Sequence, residues 1–106
     1  MDDSSQILIP DAFLALYRAP RSGRFTLPRD ELAARHELCE DLAQALTEPA
    51  RSMLFSHGIA EDEVLRRCQL GLLGEDSGVS ADEAGWVVGR LAELLEWSPP
   101  ATPAAQ

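Results

Sequence analysis

The chain has 106 residues, 45% of them hydrophobic, and nine basic against 18 acidic side chains leave a net charge of −9. That length gives one small domain with a single core, and the composition is that of a soluble globular protein. It excludes a P-loop NTPase domain of ordinary size. No apolar run reaches the roughly 18 residues a bilayer span needs, and two cysteines cannot build a disulfide-framed secreted module.

The predicted elements begin after an N-terminal extension over residues 1–8, where Asp2 and Asp3 stand in place of the positive charges of a signal peptide. Pro10 suits the first turn of a helix over 11–19, with Phe13, Leu14, Leu16 and Tyr17 as its apolar face and Pro20 as its stop. Residues 21–27 read as a loop turning at Ser22-Gly23. A second helix is expected over 28–46, carrying Leu32, Cys39, Leu42 and Leu46 at near-helical spacing. Thr47-Glu48-Pro49 reads as a restart, with Thr47 as N-cap, and His57-Gly58 as the next stop.

A further helix follows over 61–73 with Leu65, Cys68 and Leu72 inward and Gly74 closing it, then a turn at Glu75-Asp76-Ser77-Gly78. Ser80-Ala81-Asp82-Glu83 has the form of a capping box. It opens a last helix over 81–97, with Ala84, Val87, Val88, Leu91, Leu94 and Leu95 on one side and Ser98-Pro99-Pro100 as its stop. Residues 98–106, a Pro/Ala tail with nothing to bury, are expected to be disordered. Gly58-Ile59-Ala60-Glu61-Asp62-Glu63 echoes Gly78-Val79-Ser80-Ala81-Asp82-Glu83. Both read as helix starts with acids at the positive end of the dipole. The expectation is an all-α domain of four or five helices over residues 9–97.

No catalytic, cofactor or metal site is legible. His36-Glu37-Leu38-Cys39-Glu40 places His36 and Glu40 four apart, but no second histidine follows within two turns, and a charged helix face accounts for it. There is no GxSxG elbow, and Gly74 is followed by two acids where a phosphate loop needs lysine. Cys39 and Cys68 fall at apolar positions, as buried thiols of a reducing cytoplasm do. Residues 51–67 have the gross form of a helix-turn-helix, yet its second helix would open on Glu61-Asp62-Glu63, three carboxylates where DNA phosphates must approach. Enzyme chemistry, a small-molecule substrate and nucleic acid are therefore not expected.

Charge is segregated. Residues 18–29 hold Arg18, Arg21, Arg24 and Arg29 and no acid, a charge of +4 within a chain of −9. Tyr17 and Phe25 sit beside them, and arginine stacks on aromatics while binding carboxylates bidentately. Arg18, Arg21, Arg24, Phe25 and Arg29 are thus candidates to bind a protein partner, the alternative being that this loop covers acidic helices of its own fold. In the last helix, Gly85, Trp86, Gly89 and Trp97 lie off the apolar stripe and are candidates for a dimer or partner interface, or for packing within the core.

Residues 37–43 (Glu-Leu-Cys-Glu-Asp-Leu-Ala), with 83–88 (Glu-Ala-Gly-Trp-Val-Val) and 90–95 (Arg-Leu-Ala-Glu-Leu-Leu), resemble a group of small proteobacterial proteins loosely labelled "ATPase with chaperone activity". The similarity spans most of residues 9–97. It implies a small bacterial protein with, at most, an accessory role near a chaperone machine. The chain departs from the label in lacking a phosphate loop and a magnesium site beside one.

These readings converge on an acidic cytoplasmic protein–protein interaction or regulatory module, homodimeric and without catalytic activity. The alternatives are a chaperone-like protein holding a client and, third, a nucleic-acid binder using the arginine loop or the helix-turn-helix.

Overall fold

The computed structural model describes residues 9–97; the expectations for 1–8 and 98–106 fall outside them. Four α-helices and a short 3-10 turn make up the described chain: α1 (Asp11–Ala15), α2 (Arg29–His57), α3 (Glu61–Leu72), the 3-10 turn Glu75–Ser77, and α4 (Ala81–Leu95). Among the described residues there is no strand, only an isolated antiparallel bridge between Arg18 and Phe25. The all-α architecture follows from the 3.6-residue apolar spacing throughout. Among the described residues no helix is long and apolar enough to cross a membrane. The chain divides into two compact units, one up to Leu38 and one from Cys39 on, with α2 running through both.

In the first unit, Phe13 of α1 is fully buried, its ring 5.5 Å from that of Tyr17 and 5.4 Å from the imidazole of His36, which meets it edge-on. His36 is therefore not on a charged outer face. The spacing Leu32, His36, Cys39, Ala43 alternates steps of four and three, which puts His36 on the buried stripe of α2 with the apolar residues. Helix α1 is shorter than the sequence suggests and ends at Ala15, because the chain that follows commits its backbone groups to a hairpin rather than to another helical turn.

The largest departure from expectation is α2, a single helix of 29 residues where two were expected, with Pro49 inside it. Thr47 does not cap a new helix; its hydroxyl donates to the carbonyl of Gln44 at 2.8 Å, a bond to the preceding turn. The buried stripe continues across the proline to Ala50, so one helix keeps its inward face on both sides of the lost hydrogen bond. That burial outweighs a penalty of about 3 kcal/mol for an interior proline.

The second unit pairs α3 with α4. Val64, Leu65, Val87, Val88 and Leu91 are fully or almost fully buried, each contributing about 1.5–3 kcal/mol by removal from water. Arg90 of α4 ties to α2 through two bonds to Glu40, Nε–Oε1 at 2.8 Å and Nη2–Oε2 at 3.1 Å, and reaches Glu93 at 3.0 Å.

The two echoing segments differ in one cap. Gly58 and Gly78 both take the left-handed conformation, at φ 65° and 82°, and α3 and α4 each start three residues later. Only α4 has a complete capping box: Glu83 N–H donates to Ser80 Oγ at 3.1 Å and Ser80 N–H to Glu83 Oε1 at 2.9 Å, with Glu83 2% exposed. Ala60 holds the same position at α3 without a side-chain cap. At its other end α4 stops two residues short of the expected Trp97. Glu96 takes the left-handed conformation (φ 63°), and the N–H groups of Glu96 and Trp97 bond back to Glu93 and Ala92. A Schellman-type closure, not the prolines, ends the helix.

Candidate interaction surface

The arginine-rich segment is a compact hairpin. Thr26 N–H donates to Tyr17 O and Ala19 N–H to Arg24 O, both at 2.7 Å, and Gly23 N–H to Ala19 O at 3.0 Å. Gly23 supplies the left-handed residue of the turn (φ 72°), as the Ser22-Gly23 pair suggested. Ser22 Oγ accepts from the Arg24 N–H at 3.1 Å.

Arg18 is exposed and also ties the hairpin together. Its guanidinium carbon lies 4.6 Å from the centre of the Phe25 ring, and its Nη1 donates to Gly23 O at 3.0 Å. A side chain of one leg thus holds the turn and the opposite leg. Phe25 keeps 42% of its surface exposed. Arg21, Arg24 and Arg29 are exposed, and among the described residues no ion pair involves them.

The arginines of the second unit behave differently. Arg66 and Arg67 both close on Glu63, with bonds of 3.0–3.1 Å. Hydrogen bonding from Arg66 first, then from Arg67, holds the Glu63 carboxyl below the usual carboxylate range. Arg90 is engaged by Glu40 and Glu93, which raise its already high pKa. The first turn of α3 keeps Glu61 and Asp62 exposed.

Of the α4 candidates, Gly85, Trp86 and Gly89 fall on one side of the helix, and Trp97 lies beyond its end. Gly85 is exposed, with Gln69 Nε2 3.8 Å from where a Cβ would lie, and Gly89 has nothing within 4 Å of such a position. Trp86 and Trp97 are half-buried. Trp97 lies past the reversal at Glu96, so its helical register with Trp86 is lost.

Cys39 and Cys68 are both buried, and burial pushes the Cys68 thiol up. Among the described residues no three His, Cys, Asp or Glu side chains gather as a metal site.

Sequence reasoning missed two features. The Arg18–Phe25 pairing has a faint signal, aromatic and basic residues on either side of a Ser-Gly turn. The second is a pair of leucines at the end of α3: Leu70 and Leu73 are 54% and 48% exposed, although they lie within the apolar run that closes the helix. No family model, curated protein or solved structure matches the chain.

Proposed function

We propose that the protein is a non-catalytic protein–protein interaction module that uses its arginine hairpin to grip an acidic protein surface. One observation carries this reading: Arg21 and Arg24 stand exposed on a hydrogen-bonded hairpin, Arg29 stands exposed just beyond it at the start of α2, and none of the three takes part in an ion pair among the described residues. A turn fixed in advance spares part of the ordering cost of binding, and guanidinium groups match carboxylates with paired hydrogen bonds. Phe25 adds apolar area at the centre of the charged group.

Protein is favoured over nucleic acid by the rest of the chain. A net charge of −9 repels a polyanion, and Arg66 and Arg67, the bases nearest the start of α3, are spent on Glu63. Two buried cysteines suit a reducing compartment, and the reading sets the module in the cytoplasm. A chaperone-like holding role is the second reading, favoured by Phe55, which is 79% exposed near the end of α2.

The test is stoichiometric capture from nuclease-treated lysate by the wild-type protein and by R21S/R24S/R29S, with circular dichroism as the folding control. The reading expects a protein, foreign or a further copy of the chain, to be retained by the wild type and lost by the variant. Equal capture by both removes the hairpin from the function. Broad suppression of client aggregation, independent of the three arginines, supports the holding role instead.

A further inference from the structure

We infer that the hairpin's occupant is a second copy of this chain, received at the corner between α3 and α4, residues 70–82. The inference rests on the reading that the hairpin binds protein, and adds which protein and where.

Charge and apolar surface both match. Residues 18–29 carry four arginines and no acid; residues 68–89 carry four acids, Glu75, Asp76, Asp82 and Glu83, and no base. On each side one of the four is committed internally, Arg18 to the Phe25 ring and Gly23 carbonyl, and Glu83 to the capping box. Three exposed guanidinium groups then face three exposed carboxylates, and among the described residues no ion pair involves any of the six. The hairpin also presents Phe25, and the corner presents Leu70 and Leu73, three of the four large hydrophobic side chains that stand exposed among the described residues. An apolar centre ringed by complementary charge is how specific protein interfaces are built.

Two copies related by a two-fold axis would make this contact twice, hairpin to corner and corner to hairpin. Charge reversal tests that reciprocity. R21E/R24E alters only hairpin side chains whose backbone bonds stay available, and E75R/D76R alters only the 3-10 turn. Asp82 is left in place because its charge suits the first turn of α4.

Sedimentation equilibrium at about 0.15 M salt, where the repulsion between two chains of charge −9 is largely screened, is expected to give a dimer for the wild type. Each variant alone faces like charge with like, and its dissociation constant should rise at least about tenfold. An equimolar mixture restores attraction at both contacts and should return to the dimer. A wild type that is monomeric at every concentration, a dimer indifferent to the hairpin charges, or a mixture that stays monomeric overturns the inference. If a monomeric wild type still captures a foreign protein through Arg21, Arg24 and Arg29, the interaction reading stands and the second copy does not.

Discussion

The guanidinium of Arg18 lies over the ring of Phe25, 4.6 Å from its centre, joining the two legs of a hairpin whose other arginines point outward. One arginine of the cluster is thereby structural and separable from the rest. Arg18→Ala should cost about 0.5–1 kcal/mol locally, the usual worth of an exposed cation–π pair, and leave the helices intact. Amide exchange at Ala19 and Thr26, whose N–H groups close the hairpin, should accelerate while α3 and α4 amides stay unchanged. Unchanged exchange at those two amides would mean that the stacking does not hold the hairpin.

The missing cap at Ala60 gives a gain-of-stability prediction. Ala60 already has extended backbone angles (φ −65°, ψ 153°), and Glu63 stands three residues on, as Glu83 does after Ser80. Ala60→Ser should stabilise the protein by about 0.5–1.5 kcal/mol, and Ser80→Ala should destabilise it by a similar amount. Urea unfolding measures both, and a neutral Ser80→Ala would contradict the capping geometry.

Pro49 is exposed within α2. Pro49→Ala restores a backbone donor in the middle of a helix and should raise stability by about 1–3 kcal/mol. Loss of stability in urea unfolding would show that the proline's geometry is needed for the packing of Ala50 and the turns around it.

The Glu63 clamp has a definite pH dependence. The folded-state pKa is lowered by Arg66 and Arg67, so the stabilising contribution is complete above the unfolded glutamate value and is lost as pH falls through the folded one. Glu63 is half-buried but both arginines are exposed, so solvent screens the pair and the effect on stability is small. The Glu63 carboxyl shift followed by NMR should titrate below an ordinary glutamate in the wild type and move up in R66A/R67A; coincident curves would contradict the clamp.

Much of the fold was legible because it rests on local grammar. Gly58 and Gly78 take the left-handed turns, the Ser80–Glu83 box forms, and Leu65, Cys68 and Leu72 are buried. Two of the misreadings share a cause, burial overriding a local signal. Thr47 and Pro49 are sound start signals, but the inward stripe through Ala43 and Ala50 makes one helix the better solution. The His36-Glu37 pair reads as charged surface until Phe13 comes to cover the imidazole. Of the candidate surface, charge segregation pointed to the arginines, whereas the division of labour between Arg18 and Arg21, Arg24 and Arg29 needed coordinates. The exposure of Leu70 and Leu73 was legible in part, because the stripe Leu65, Cys68, Leu72 leaves both off the inward face.

The central claim is that the outward arginines of the hairpin meet another protein surface. A photo-crosslinking side chain at Arg21, activated in intact cells, tests it most directly. The account predicts a discrete protein adduct of one stoichiometry, lost when Arg24 and Arg29 are changed to serine. Adducts confined to nucleic acid, or none, would contradict it.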